Sequence, residues 1–208
     1  MSESEFVKQR KKEFFYKKAK EEKYRARSAY KLLELQKKFH LIHQGSIVVD
    51  CGAAPGSWSQ VALEFVGRGQ VLAIDILPMA SLLGNFTFLR ADLTKESAID
   101  KIKAVLQKPA DLVMSDAAPE FSGIRAMDIG SAMNLNYAIL EIAKKILKQN
   151  GSFVCKAFQG SDFPDFIKNV KKDFADVHIV KPKASLKESA EIYVVALNFR
   201  TGKLQTAR

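Results

Sequence analysis

The feature that most constrains this chain is an alternation, begun at Ser46, of short β-branched runs with longer amphipathic segments. The spacing predicts strands over Ser46–Cys51, Gln70–Asp75, Thr87–Arg90, Asp111–Ser115, Ser152–Ala157, Val177–Lys181 and Glu191–Asn198. It predicts helices over Ser28–Phe39, Ser57–Val66, Lys95–Leu106, Asp128–Lys148 and Phe163–Phe174. Gly45, Gly69 and Gly151 fall just before strands, where a helix or turn has to end. Parallel strands need a crossover between them, and crossover helices cover the sheet, so repeated strand–helix units imply a parallel sheet buried on both faces. Only a loop separates the last two predicted strands, so the final one is expected to enter antiparallel. The expectation is an α/β, Rossmann-like fold. It has a seven-stranded, mostly parallel sheet, an antiparallel last strand and helices on both faces. Spacing alone also allows an ordinary dinucleotide-binding fold.

The 208 residues suffice for one such domain but not for two, and a 47% hydrophobic content excludes wholesale disorder. Lys and Arg outnumber Asp and Glu by 33 to 23, a net +10 that favours a polyanionic partner, nucleic acid before an anionic membrane. The surplus is uneven. Through Lys38 there are 13 basic and 6 acidic residues (+7), against 20 and 17 (+3) in the rest. The basic runs Lys8/Arg10/Lys11/Lys12 and Lys17/Lys18/Lys20 interleave with Phe6, Phe14, Phe15, Tyr16, Tyr24 and Tyr30. Cations that hold phosphates and rings that stack on bases suit RNA, although a solvated helix whose rings pack on the domain has the same pattern. The asymmetry sets residues 1–24 apart as a basic helical extension.

Two cysteines cannot make a disulfide framework or a four-ligand zinc site, and Cys51 and Cys155 both lie in apolar runs, as buried free thiols do. His40, His43 and His178 show no metal spacing, so no metal is expected. The acidic opening Met1–Glu5 has no apolar core behind it, and the apolar region from Val71 to Leu89 is broken by Asp75, Pro78, Gly84 and Asn85. A soluble, cytoplasmic monomer without membrane association is expected.

In doubly wound sheets the ligand lies beyond the carboxyl ends of the strands, at the switch point. The first strand ends in Asp50-Cys51-Gly52-Ala53-Ala54-Pro55-Gly56-Ser57-Trp58, a turn of small residues that a ligand can approach closely, with Ser57 placed to cap the next helix. The dinucleotide fingerprint Gly-x-Gly-x-x-Gly is absent. Asp75, about 20 residues past the turn, can hydrogen-bond both ribose hydroxyls of an adenosine. Asp92 follows the third strand, placed to accept from an adenine amino group, and Asp116 follows the fourth. Four acids on one edge (Asp50, Asp75, Asp92, Asp116) point to a cationic, adenosine-containing ligand, which S-adenosylmethionine is.

The segments Asp50–Gln60, Asp75-Ile76-Leu77-Pro78-Met79, Ser115-Asp116-Ala117-Ala118-Pro119 and Lys156-Ala157-Phe158-Gln159-Gly160 together resemble the FtsJ/RrmJ family of RNA ribose 2′-O-methyltransferases. The resemblance runs from about Arg25 to Arg200 and implies a catalytic domain over 25–200, followed by a short tail (201–208). It implies the class I S-adenosylmethionine-dependent methyltransferase architecture, with the cofactor held at Gly56, Trp58, Asp75, Asp92 and Asp116. It also implies a catalytic tetrad of Lys31, Asp116, Lys156 and Glu191, with Glu188 a rival for the last place. Cys51 stands where the family commonly has leucine, and Ser57 where its bacterial rRNA enzymes usually have glycine. The resulting Gly-Ser-Trp-Ser-Gln is similar to the tRNA-directed branch. The expected activity is methylation of a uridine 2′-hydroxyl in large-subunit ribosomal RNA. A tRNA substrate, or a non-catalytic RNA-binding role in ribosome assembly, is the alternative.

The chemistry explains the residue types. A ribose hydroxyl is a poor nucleophile near neutral pH, and in-line methyl transfer requires a positioned oxygen and removal of one proton. Lys156 lies in the apolar run Phe153–Phe158, where a charge is costly unless it has a use. A lysine there is a base only if its pKa falls well below about 10.4. Burial and Lys31 push that way, while Asp116 and Glu191 oppose. Orienting the oxygen lone pair is the other role open to Lys156. A nicotinamide-dependent oxidoreductase on a similar sheet is disfavoured by the missing glycine fingerprint and by this strand-borne lysine.

Overall fold

The computed structural model describes residues 13–119, 125–185 and 189–201. Residues 13–21 are helical (α1), followed by α2 (Ala29–Phe39), β1 (Ile47–Cys51), α3 (Ser57–Val66), β2 (Gln70–Asp75) and β3 (Phe86–Arg90). Then come α4 (Ser97–Val105), β4 (Ala110–Ser115), α5 (Arg125–Ile146), β5 (Leu147–Phe158), α6 (Phe163–Asp173), β6 (Phe174–Val180) and β7 (Glu191–Phe199). The seven strands lie in the order β3-β2-β1-β4-β5-β7-β6. Neighbours from β3 to β5 run parallel, and β7 is antiparallel to both β5 and β6. The chain starts at β1, winds out through β2 to β3 and returns to β4, so the switch point falls between β1 and β4.

Side chains alternate across a strand, and here that period splits the core in two. Val49, Cys51, Val113, Phe153, Cys155, Ile192 and Val194 face α5 and α6, packing with Ile139, Ile142, Phe166 and Phe174. Val48, Leu112, Met114, Val154, Tyr193 and Val195 face α2 and α3, packing with Leu32, Leu35, Trp58 and Val61. Each such buried side chain contributes about 1.5–3 kcal/mol. The two layers therefore fix the register of every strand, since a slip of one residue would exchange the faces.

Several boundaries differ from expectation. The helix predicted to reach Lys148 ends at Ile146, because Leu147 already pairs with Ala110 on β4. Gly151 consequently lies within β5 rather than before it, just after Asn150 at φ +61° and a register shift between Ala110 and Leu112. Strand β6 starts at Phe174, three residues before the predicted Val177, because the Phe174 ring stacks on Phe153 and lies against Phe199. Of the extension, α1 rests on the domain through buried Ala19 and half-buried Phe15, against Tyr30 and Ala184. The run Lys8–Lys12, Phe6, Lys187, Glu188 and most of the tail lie outside the described residues. So do the side chains of Met127 and Asp128.

Candidate active site

Sheet register builds the site. Lys156 on β5 pairs directly with Tyr193 on β7, and Phe158 pairs with Glu191. The period of two thus sends Lys156, Tyr193 and Glu191 toward the α2 side of the sheet. Helix α2 brings Lys31 from above, and β4 ends one residue before Asp116. Four expected residues converge. Lys31 Nζ lies 2.8 Å from Glu191 Oε1 and 3.7 Å from Asp116 Oδ1. Lys156 Nζ donates to the Asp116 carbonyl at 2.5 Å and lies 3.3 Å from Asp116 Oδ1.

The cluster is nearly dry: the lysine side chains are 8% and 10% exposed and the acids 15% and 17%. A buried ion pair adds little net stability, because desolvation roughly offsets its attraction, whereas removing one partner costs about 3–5 kcal/mol. Two such pairs sharing one carboxylate are therefore better explained by chemistry than by stability. Burial works to raise the Glu191 pKa, but the charge and hydrogen bond of Lys31, then Ser185 and Lys156, hold its carboxyl below the ordinary value.

Sequence reasoning missed two partners of this cluster. Tyr193 donates its hydroxyl to Asp116 Oδ1 at 2.5 Å and stacks on Trp58, with ring centroids 5.7 Å apart. Burial first, then the Asp116 and Glu191 carboxylates, push the phenol well above its ordinary pKa, so it remains a donor. Its signal was present, two residues beyond Glu191 on the same strand face. Ser185 donates to Glu191 Oε1 at 2.7 Å from a loop that carries no sequence signal.

Asp116 also lines a cavity of about 630 Å³, a size suited to a small ligand. Asp75 and Asp92 line it too, among Gly52, Ala54, Ile76, Leu77, Ala91 and Leu93, with Ser131, Asn134 and Leu135 of α5 opposite. The spacing 131, 134, 135 is one helix face, a signal the sequence carried unread. Asp75 is fixed by two backbone donors: Oδ2 accepts from Ala54 N and Oδ1 from Leu77 N, both at 2.8 Å. Each oxygen keeps a second lone pair for a hydroxyl. Asp92 Oδ1 accepts from Thr94 Oγ1 at 2.7 Å and from Thr94 N at 3.0 Å, and these bonds lower its pKa. Gly52, at φ +72°, is required by close approach, since a Cβ there would lie 2.3 Å from Ala117 Cβ.

Two expectations about this edge need correction. Asp50 does not join the other acids at the cavity; one residue before the strand end, it faces α3 and accepts from Ser59 Oγ at 2.6 Å. Ser57 does not cap α3, because Gly56 at φ +102° occupies the cap and places Ser57 in the first turn, 2.6 Å from Ser28 Oγ. Gly56 and Trp58 lie outside the cavity lining. Gly56 sits beneath Arg25, whose guanidinium donates to the carbonyls of Pro55, Ala80 and Ser81. Trp58 is buried, its Nε1 donating to Ser28 O at 3.0 Å.

Residues 24–199 match the FtsJ-like methyltransferase family. The chain belongs to that family. A Methanothrix thermoacetophila protein named ribosomal RNA large subunit methyltransferase E is 50% identical over 184 residues, covering 88% of this chain and 71% of its own. Enzymes of the same name from Methanocaldococcus jannaschii and Hahella chejuensis are 44% and 43% identical, covering 95% and 96% of this chain and 82% and 97% of theirs. A Plasmodium falciparum crystal structure, described as a ribosomal RNA methyltransferase, superposes with a TM-score of 0.76 at 31% identity, over 86% of this chain and all of that one. A Thermotoga maritima S-adenosylmethionine-dependent O-methyltransferase shares the fold alone, at a TM-score of 0.55 and 11% identity, over 84% of this chain and 66% of that one. This FtsJ-like chain is accordingly a methyltransferase. Among its described residues no helix is long and apolar enough to cross a membrane.

Proposed function

We propose that this enzyme transfers a methyl group from S-adenosylmethionine to a ribose 2′-hydroxyl of RNA, its substrate a uridine of large-subunit ribosomal RNA. One observation carries the reading: Asp116 is at once a wall of the 630 Å³ cavity and the joint between Lys31 and Lys156. A methyl donor in the cavity and a hydroxyl beside the lysines would therefore meet across one carboxylate. The net charge of +10 suits a polyanionic substrate, and the relatives named for large-subunit ribosomal RNA support the choice of RNA.

The cavity fits the cofactor in its chemistry. Asp75, held rigidly by two backbone N–H groups, would take the ribose hydroxyls, Asp92 the adenine amino group, and Asp116 the cationic end. Gly56 and Trp58 would serve the cofactor through the loop they support rather than by lining its walls. Bound there, S-adenosylmethionine supplies an electrophilic methyl group on a positively charged sulfur. Lys156, tethered by the Asp116 carbonyl, has a remaining N–H to meet the acceptor oxygen and aim its lone pair. Lys31, paired with Glu191, holds Asp116 from the other side and keeps the site from carrying unbalanced charge. The oxygen–carbon bond would form as the methyl–sulfur bond breaks, with S-adenosylhomocysteine as the neutral leaving group and the hydroxyl proton released to solvent.

The test is Lys156→Ala with labelled cofactor and ribosomal RNA. Methyl transfer should vanish while S-adenosylhomocysteine affinity, read by calorimetry, stays within twofold. Turnover comparable to the unmodified enzyme would remove Lys156 from the mechanism. Mapping 2′-O-methyl groups on total RNA with and without the gene assigns the substrate. A mark lost from tRNA alone would move the reading to that RNA.

A further inference from the structure

The inner face of α1 is fully engaged. Ala19 is buried, the Phe15 ring lies 5.3 Å from the Tyr30 ring, and Lys18 Nζ sits 4.8 Å above that same ring. Tyr30 in turn donates its hydroxyl to Glu22 at 2.8 Å, closing the helix onto α2. The outer face is unusual for a helix already docked. Phe14 and Tyr16 stand 59% and 65% exposed, and Lys17 and Lys20 are exposed beside them. A solvated helix face is ordinarily polar throughout; here two large rings stand exposed, Phe14 edge-on to Phe15, beside Lys17 and Lys20 and with Glu13 and Glu21 at the helix ends.

We propose that Phe14, Tyr16, Lys17 and Lys20 form a strip that holds the single-stranded RNA flanking the target nucleotide, with rings stacking on bases and lysines meeting phosphates. The proposal rests on the reading that the tetrad acts on RNA. Position supports it. The ring that α1 covers, Tyr30, immediately precedes Lys31, and Ala184 in the same cluster immediately precedes Ser185, the hydrogen-bond donor to Glu191. The inner face of α1 thus packs on residues adjacent in sequence to two members of the Lys31–Glu191–Ser185 cluster. Charge supports it as well, since the chain through Lys38 holds +7 of the net +10. Stacking with cation contacts is tolerant of base identity, which suits a flanking strand rather than the target itself.

Full-length protein and an unstructured, fluorescein-labelled RNA oligonucleotide provide the test, with anisotropy read across a salt series. Lys17→Glu/Lys20→Glu should weaken binding about tenfold at low salt. It should also flatten the log–log salt slope by about 1.4, at roughly 0.7 per lost single-strand phosphate contact. Phe14→Ala/Tyr16→Ala should weaken binding about thirtyfold or more with the slope unchanged, because stacking releases few counterions. Lys103→Glu/Lys108→Glu, exposed lysines at the amino-terminal edge of the sheet, carries the same charge change and should leave the slope alone. Calorimetry with S-adenosylhomocysteine checks that each variant is folded. Unchanged binding in both α1 variants, or equal losses in the distant control, would overturn the strip. Binding is read without turnover, so that failure is distinct from failure of the Lys156→Ala test.

Discussion

Asp50 offers a measurement whose size follows from its surroundings. Its side chain is buried in β1, 1% exposed, with Ser59 Oγ donating to it at 2.6 Å. Burial pushes its pKa from the ordinary 3.8 to about 7; the Ser59 hydrogen bond resists, and the Asp116 and Asp75 charges add to the rise. Between pH 4 and 7 the unfolded chain has released this proton while the folded chain still holds it. Stability from the protonated carboxyl is therefore full below about pH 4, declines as pH rises toward 7, and is gone above it. At about 1.4 kcal/mol per pH unit the whole effect is about 4 kcal/mol, of which about 3 falls between pH 5 and pH 8. Asp50→Asn keeps an oxygen that can accept from Ser59 and has no proton to lose. Urea unfolding of both proteins from pH 5 to 8 cancels the titration of all other groups in the difference. The stability of Asp50→Asn relative to the unmodified protein should rise by about 3 kcal/mol across that range, whatever its offset at pH 5. A gap that stays constant with pH would refute the argument, since Asp50 would then titrate alike in the folded and unfolded chains.

Two further outcomes are expected. Asp75→Ala should weaken S-adenosylhomocysteine binding by about 1–3 kcal/mol, the range for hydrogen bonds to a charged group, while the RNA salt slope stays unchanged. Calorimetry showing the same dissociation constant would separate Asp75 from the ribose. Tyr193→Phe keeps the stack on Trp58 but removes the donor to Asp116, so kcat should fall about tenfold with cofactor affinity intact. An unchanged kcat would mean that Lys31 and Lys156 position Asp116 without it.

Much of this molecule was readable from local chemistry. Strand–helix alternation announced the doubly wound sheet, and β2 and α3 begin and end where the pattern put them. The chain's order also foretold the antiparallel β7, because a loop too short for a crossover helix leaves no parallel alternative. Residue types pointed to groups that the fold brings together: a lysine inside an apolar strand and acids at strand ends are costly locally and so carry information. What local chemistry could not decide was direction and neighbourhood. Asp50 reads like Asp75 in sequence, yet it pairs with Ala73, two residues short of Asp75 on the same face, and is buried against Ser59 outside the cavity lining. Trp58 sits in the cofactor-side turn yet points into the core, because Tyr193, 135 residues later, supplies a ring to stack on. Lys31 on its own is an ordinary helix lysine. Only the packing of α2 across β5 and β7 brings it to 2.8 Å from Glu191 and makes it part of a site. Periodicity and composition are properties of neighbours along the chain, whereas a site is made of neighbours across the sheet, and those exist only after the strands have found their register.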